Sequence, residues 1–289
     1  MDSSPKQARI KAVEGLPPLR DIIDQYELYA QKSLGQNFLL DINITDKIVR
    51  EAMNRDHRTW EDVHALEVGP GPGGLTRSLL KSTCDKVTAI EYDRRAVDAL
   101  QSLKGASQGD CEVIQGDALD IDLTTISGTP RVIVANLPYN IATPLLIGWL
   151  KQIRADKNSY QSMALMFQKE VAERIVAKVN TKAYGRLGVI SQWLCDVSIL
   201  YELPASAFTP PPKVKSAIVH FVPKALPDNA PTFKDVERVT AAAFNQRRKM
   251  VRSSLKDYRD VIKALNLNPE HRAENIDVHD FVSIAAFKA

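Results

Sequence analysis

The sequence predicts a doubly wound α/β sheet followed by a small helical region, on three observations. From residue 62 onward, short apolar runs alternate with segments of helical spacing. A glycine-rich turn at 69–74 separates the first run from the first helical segment. Seven of the sixteen prolines fall between 204 and 231, and beyond them only helical patterns remain.

The apolar runs are 64–68, 87–90, 111–114, 131–135 and 163–167. At four to five residues, mostly ended by Gly, Asp, Asn or Pro, they read as buried parallel strands. Helical spacing falls between them at 76–81, 94–103 and 143–153. Two later runs, 198–203 and 216–222, are expected as antiparallel edge strands joined through the proline-rich loop. Near the start, Leu19, Ile22, Ile23, Tyr26 and Ala30 trace one face of a short helix, whereas the first fifteen residues have no periodicity. The resulting division is an N-terminal extension at 1–31, partly helical or disordered, a main domain at 32–225 and a helical domain at 226–289.

Composition excludes several classes. No run approaches the ~20 apolar residues that span a bilayer, and the N-terminus has no apolar secretory core. Cys84, Cys111 and Cys195 are odd in number and have no metal-ligand spacing. The expectation is a cytoplasmic protein with neither disulfides nor a metal. A net charge of +3 is too small to name a partner.

The glycine turn, Glu67-Val68-Gly69-Pro70-Gly71-Pro72-Gly73-Gly74, follows a strand and opens a helix. Glycines there permit a tight turn and close approach of a ligand to backbone. Glu91, twenty residues past Gly71, ends the second strand and can accept both hydroxyls of a ribose. Asp117, after the third strand, can accept from an adenine amino group. These features suit a dinucleotide or S-adenosylmethionine alike.

Asn136-Leu137-Pro138-Tyr139 closes the fourth strand and is the most specific signal. An exocyclic adenine amine is a poor nucleophile because its lone pair is delocalised into the ring. Two acceptors on its N–H groups, the Asn136 side-chain oxygen and the Leu137 carbonyl, favour a tetrahedral nitrogen. Pro138 restricts Leu137 to extended backbone, and Tyr139 offers a face for an extruded base, worth ~1–3 kcal/mol.

The tetrapeptide resembles the [DN]-x-P-[YF] motif of amino methyltransferases. Together with Lys32-Ser33-Leu34-Gly35-Gln36-Asn37-Phe38-Leu39, the glycine turn, Glu91, 116–119, Ala207-Phe208-Thr209-Pro210-Pro211-Pro212-Lys213-Val214 and Ala243-Phe244-Asn245-Gln246-Arg247-Arg248-Lys249, it resembles the KsgA family of small-subunit rRNA adenine N6,N6-dimethyltransferases. The match runs in order from about Lys32 to near the C-terminus. It implies a Rossmann-like class I methyltransferase domain that binds S-adenosylmethionine through Asn37, Leu39, Gly69, Glu91, Asp117 and Asn136. It also implies a target adenine held by Asn136, Leu137 and Tyr139, with Phe208 as a second aromatic face. The substrate it implies is a pair of adjacent adenosines in the 3′-terminal hairpin of small-subunit rRNA, in an immature subunit, for a monomeric enzyme. A 23S rRNA or DNA adenine methyltransferase, an assembly factor acting mainly by binding, and a nicotinamide-dependent dehydrogenase are the rival readings.

Residues 241–256 hold five cations, Arg247, Arg248, Lys249, Arg252 and Lys256, and no acid, which exceeds the whole chain's +3. On one ideal helix Arg248, Lys249, Arg252 and Lys256 share an arc of about 100° opposite Val236, Val239, Ala243 and Val251. That arc is the expected rRNA-binding face. Arg247 projects into the apolar side and is expected to pair with a carboxylate or a helix end. Lys213 and Lys215 flank the aromatic loop and extend the path.

Overall fold

The structure is a computed structural model that describes residues 4–31, 35–56, 59–126 and 128–287. In chain order the helices and strands open with α1 (Pro5–Glu14), α2 (Leu19–Gln25), β1 (Phe38–Leu39), α3 (Ile42–Asp56), β2 (His64–Val68) and α4 (Gly74–Lys81). Next come β3 (Lys86–Glu91), α5 (Arg94–Ala99), α6 (Gln101–Ala106), β4 (Cys111–Gln115), β5 (Arg131–Ala135), α7 (Ala142–Ala155) and β6 (Ser162–Gln168). The chain continues through α8 (Lys169–Val176), α9 (Arg186–Leu194), β7 (Cys195–Leu203), β8 (Phe208–Thr209) and β9 (Ser216–Pro223). It ends in α10 (Phe233–Asn245), α11 (Val251–Ser254), α12 (Arg259–Ala264) and α13 (Val278–Ala286).

Seven strands form one sheet in the order β4-β3-β2-β5-β6-β9-β7, parallel from β4 through β6 and antiparallel at β9 and β7. The fold is the doubly wound, Rossmann-like α/β architecture expected from the sequence. All five predicted parallel strands are present, with β4 at one edge, and β2 and β5 keep their predicted bounds. The near-continuous apolar character of β2 and β5 follows from burial on both faces, whereas β4 is half-exposed. Leu66, Val68, Ile133 and Ala135 meet α7 and α9 on one face, whereas Ala65, Val132 and Val134 meet α3 and α4 on the other. The order reverses between β2 and β5, so a crevice opens at the carboxyl ends of these neighbours.

Three expectations before residue 226 need correction. The 216–222 run is not an edge strand: β9 lies between β6 and β7, and of these two later strands β7 alone is at an edge. A strand as apolar as Ser216–Pro223 gains more from neighbours on both sides. Residues 94–103 are not one helix; Leu100 interrupts the run and packs against Gly73. Finally, the aperiodic first fifteen residues contain an ordered helix, α1, capped by the Ser4 side chain. Its docking face pairs a charged residue with a single apolar one, Val13. Arg9 is fully buried and donates to the Ser82, Cys84 and Asp85 carbonyls and to Asp110 at 2.8 Å. Apolar periodicity cannot show a helix that docks this way.

In α2, Leu19, Ile22 and Ile23 are buried as their spacing predicts. Tyr26 caps the helix and Ala30 lies beyond it, but both pack on the same cluster, which includes Phe38. The helices after β9 share a separate apolar cluster with Ala177, Tyr184 and Val189.

The 241–256 segment is not one helix. α10 ends at Asn245, a turn follows, and α11 starts at Val251. The Val251 and Arg252 amides donate to the His271 and Pro269 carbonyls, and Met250 bridges to Arg272. Pairing with that segment draws Val251 into the core and replaces helical continuation. The predicted 100° arc therefore does not exist as drawn. Arg248, Lys249, Arg252 and Lys256 are exposed, on a turn, a short helix and a single 3₁₀ turn, and Arg252 approaches Glu270 at 3.6 Å. Arg247 does pair as expected, with Glu274 at 2.9 Å and the Lys182 carbonyl at 2.7 Å.

Candidate functional site

A cavity of about 300 Å³ opens at the carboxyl ends of β2, β3, β4 and β5. Asn37, Gly69, Glu91, Asp117, Asn136, Leu137 and Tyr139, all singled out from sequence, line it together. The volume is at the lower bound of small-ligand sites.

The glycine turn makes one wall. Gly71 has φ +53°, and a Cβ there would sit 2.8 Å from the Phe38 ring. At Gly74 a Cβ would meet the Leu39 carbonyl at 2.6 Å, so α4 lies against β1 only because that position is bare.

Glu91 faces the turn from β3. Its Oε2 accepts the Gly71 amide at 3.1 Å and its Oε1 the Asp93 amide at 2.8 Å. Burial raises its pKa, and amides of Asp93, Gly71 and Tyr92 oppose the rise. Each oxygen keeps a further acceptor position for a diol. Asp117 has one oxygen accepting the Leu119 amide at 2.9 Å, which leaves the other for a ligand amine.

Asn136 sits at the end of β5 and donates its side-chain amide to the Asn37 carbonyl at 2.9 Å. That bond identifies Oδ1 as the remaining acceptor. The Pro138 carbonyl is taken by the Ile141 and Ala142 amides where α7 begins, which fixes the loop. The Tyr139 hydroxyl shares a 2.5 Å hydrogen bond with Ser216 Oγ, and burial raises its pKa.

Two predicted side chains do not line the cavity. Leu39 and Phe208 pair across the short β1–β8 ladder and are 5% and 3% exposed in the apolar cluster beneath α3 and α4. Both are apolar, and burying them there removes more surface from water than projecting into a polar crevice. Lys32, Ser33 and Leu34 of the N-terminal motif lie outside the described residues. Sequence reasoning passed over Phe38, Ile90, Tyr92, Ala118 and Ile141, the apolar walls of the cavity. Most flank a residue it did single out, and that adjacency was the available signal.

Among the described lining residues none is Lys or Arg, while Glu91 and Asp117 are acids. Acids without a cationic side chain beside them favour a cationic sulfonium. The diol acceptor, the amine acceptor and the apolar walls fit S-adenosylmethionine.

Comparison with known proteins agrees. Residues 28–289 match the model of the family described as "Ribosomal RNA adenine dimethylase". The chain belongs to this family of ribosomal RNA adenine dimethylases. A curated relative from Rhodospirillum rubrum, "Ribosomal RNA small subunit methyltransferase A", is 48% identical over 275 residues, covering 94% of this chain and 92% of the relative. Its counterpart of the same name from Ruegeria sp. is 49% identical, covering 96% and 98%. Among solved structures, a dimethyladenosine transferase from Plasmodium falciparum aligns with TM-score 0.68 at 27% identity, over 82% of this chain and 94% of that one. The 23S rRNA methyltransferase ErmE, at 23% identity and TM-score 0.63, shares the fold. As a ribosomal RNA adenine dimethylase the chain is an S-adenosylmethionine-dependent methyltransferase. No helix among its described residues is long and apolar enough to cross a membrane.

Proposed function

We propose that this enzyme dimethylates N6 of two adjacent adenosines in the 3′-terminal hairpin loop of small-subunit rRNA. It does so as a cytoplasmic monomer acting on an immature small subunit. The relatives named as small-subunit methyltransferases, close to half identical over nearly their whole length, support that substrate over 23S rRNA.

The observation that carries the reading is the Asn136–Asn37 bond, which leaves Asn136 Oδ1 as an acceptor in the cavity wall. The cofactor, when bound, supplies a methyl group activated by its positive sulfur. Glu91 would hold its ribose and Asp117 its adenine amine, with Asn37 and Gly69 as further contacts in the cavity wall. Asn136 Oδ1 and the Leu137 carbonyl accept the N6 hydrogens and turn the lone pair toward the methyl group. Tyr139 stacks on the target base, with its tilt fixed through Ser216. Alignment and removal of water supply the catalysis. Asn, not a carboxylate, opens the motif, so the proton leaves to water after transfer. Leu39 acts through its backbone, and Phe208 reaches a base only after leaving the core.

The units at 32–225 and 226–289 divide the work, the first binding cofactor and target base and the second binding rRNA. Arg248, Lys249 and Lys256, exposed on separate short elements, contact phosphates, with Arg252 joining once Glu270 releases it.

Incubating immature small subunits with enzyme and S-adenosylmethionine, followed by mass spectrometry of the 3′ rRNA fragment, tests the reading. Two adenosines each gaining two methyl groups is the expected result. Methylation confined to 23S rRNA would overturn it.

A further inference from the structure

Beside the main cavity lies a second, with a volume of about 20 Å³, roughly the room of one water. Glu67, Leu75 and Gly74 bound it, and it shares Phe38, Gly69 and Asn136 with the main cavity. Glu67 belongs to β2 and is 1% exposed, and its Oε2 has no hydrogen-bond partner. An ionised carboxylate left this way is a costly state, and a protonated one is much cheaper.

The surroundings point the same way. Across the sheet, Glu91 on β3 is a like charge. On β4, Cys111 is a neutral thiol whose pKa is raised by burial and by Glu67 itself, to about 12. From α4, the Thr76 hydroxyl opposes the rise in part, although it makes no hydrogen bond of normal geometry. β1 contributes Phe38 and Leu39, both apolar, and the loop after β5 contributes Asn136, which is neutral. Burial, with Glu91 adding to it, pushes the Glu67 carboxyl up to about 8.

We propose that Glu67 is the proton-coupled acid of the cofactor site, neutral in the free enzyme and ionised once a sulfonium cofactor occupies the adjoining cavity. The O–H bond of the carboxyl breaks, its electron pair stays on oxygen, and the proton passes to the buffer. The positive charge of the ligand then balances the new carboxylate across the Asn136 and Gly69 wall. Glu67 is thus a positioning residue with respect to methyl transfer, since it acts through the cofactor. The inference rests on the cofactor lying in the main cavity.

Titration calorimetry with S-adenosylmethionine, in two buffers of different ionisation heat, counts the protons released. For the wild-type enzyme between pH 6 and 7, about one proton is expected, with Kd falling about tenfold. Glu67→Gln should release correspondingly less, and its Kd should move by about twofold or less. Titrations of the ligand itself are common to both proteins and cancel. Equal proton counts in the two proteins would overturn the proposal while leaving the cofactor site intact. Failure of the wild type to bind at any pH would overturn the site as well. Should Glu67→Gln not fold, Glu67→Met serves the same comparison. Infrared difference spectra of the wild type with carboxyl-labelled glutamate give a separate readout. Loss of a neutral-acid band on binding supports the proposal, and an unchanged band defeats it.

Discussion

The two ends of the central sheet both bury acids, and they treat them in opposite ways. At the amino end Asp56, the last residue of α3, has a side chain that is 1% exposed and fully engaged. His220 Nε2 donates to Oδ1 at 2.8 Å, and Trp60 Nε1 and Ser162 Oγ donate to Oδ2 at 2.7 and 2.8 Å. Burial alone would raise Asp56, yet the His220, Ser162 and Trp60 donors outweigh it and hold its pKa below the ordinary aspartate value. At the carboxyl end Glu67 keeps an unpartnered oxygen, and Glu91 has only backbone donors on one side. A saturated polar cluster has no capacity left for a ligand and serves the fold; an unsaturated one is where a ligand completes the bonding.

Three substitutions can break or sharpen that contrast. The largest effect belongs to Asn136→Ala, which removes the acceptor proposed for the amine. Methyl transfer in the rRNA mass assay should fall about 10²–10³-fold, as for other preorganised hydrogen-bonding groups. A near wild-type rate would refute the assignment of Asn136. Asp56→Ala should behave in the opposite manner, with cofactor affinity and rate per folded molecule unchanged but stability lower by about 3 kcal/mol. A carboxylate held below its unfolded value stabilises fully above the ordinary aspartate range, and that contribution is lost as pH falls through the folded value. Denaturant melts should therefore show the gap between wild type and Asp56→Ala narrowing as the solution is acidified. The smallest effect is outside the sheet. Lys249→Ala should weaken rRNA binding across sequences and reduce the slope of log affinity against log salt by about 1, with cofactor affinity unaltered.

The same contrast explains what could be read from sequence. The β2–β5 strands and the cofactor crevice were legible because their residues answer to short-range rules. Gly71 is required by its left-handed backbone and the Phe38 ring, and Asn136-Leu137-Pro138-Tyr139 is contiguous. Glu67 stood inside the glycine motif, but its missing partner is a property of three dimensions. Asp56 and His220, 164 positions apart, carry no local pattern that joins them. α1 was invisible because Arg9 docks through carbonyls that apolar periodicity does not register. The break after Asn245 depends on the remote His271 and Pro269 carbonyls, so the cations that follow were placed on a helix that does not continue.

The two-residue ladder between β1 and β8 has a mechanical consequence. Phe38 walls the cavity while its neighbour Leu39 is in register with Phe208, so the two loops form one lever. Displacing the backbone at 208–209 must either break that ladder or pull the cavity wall along with it.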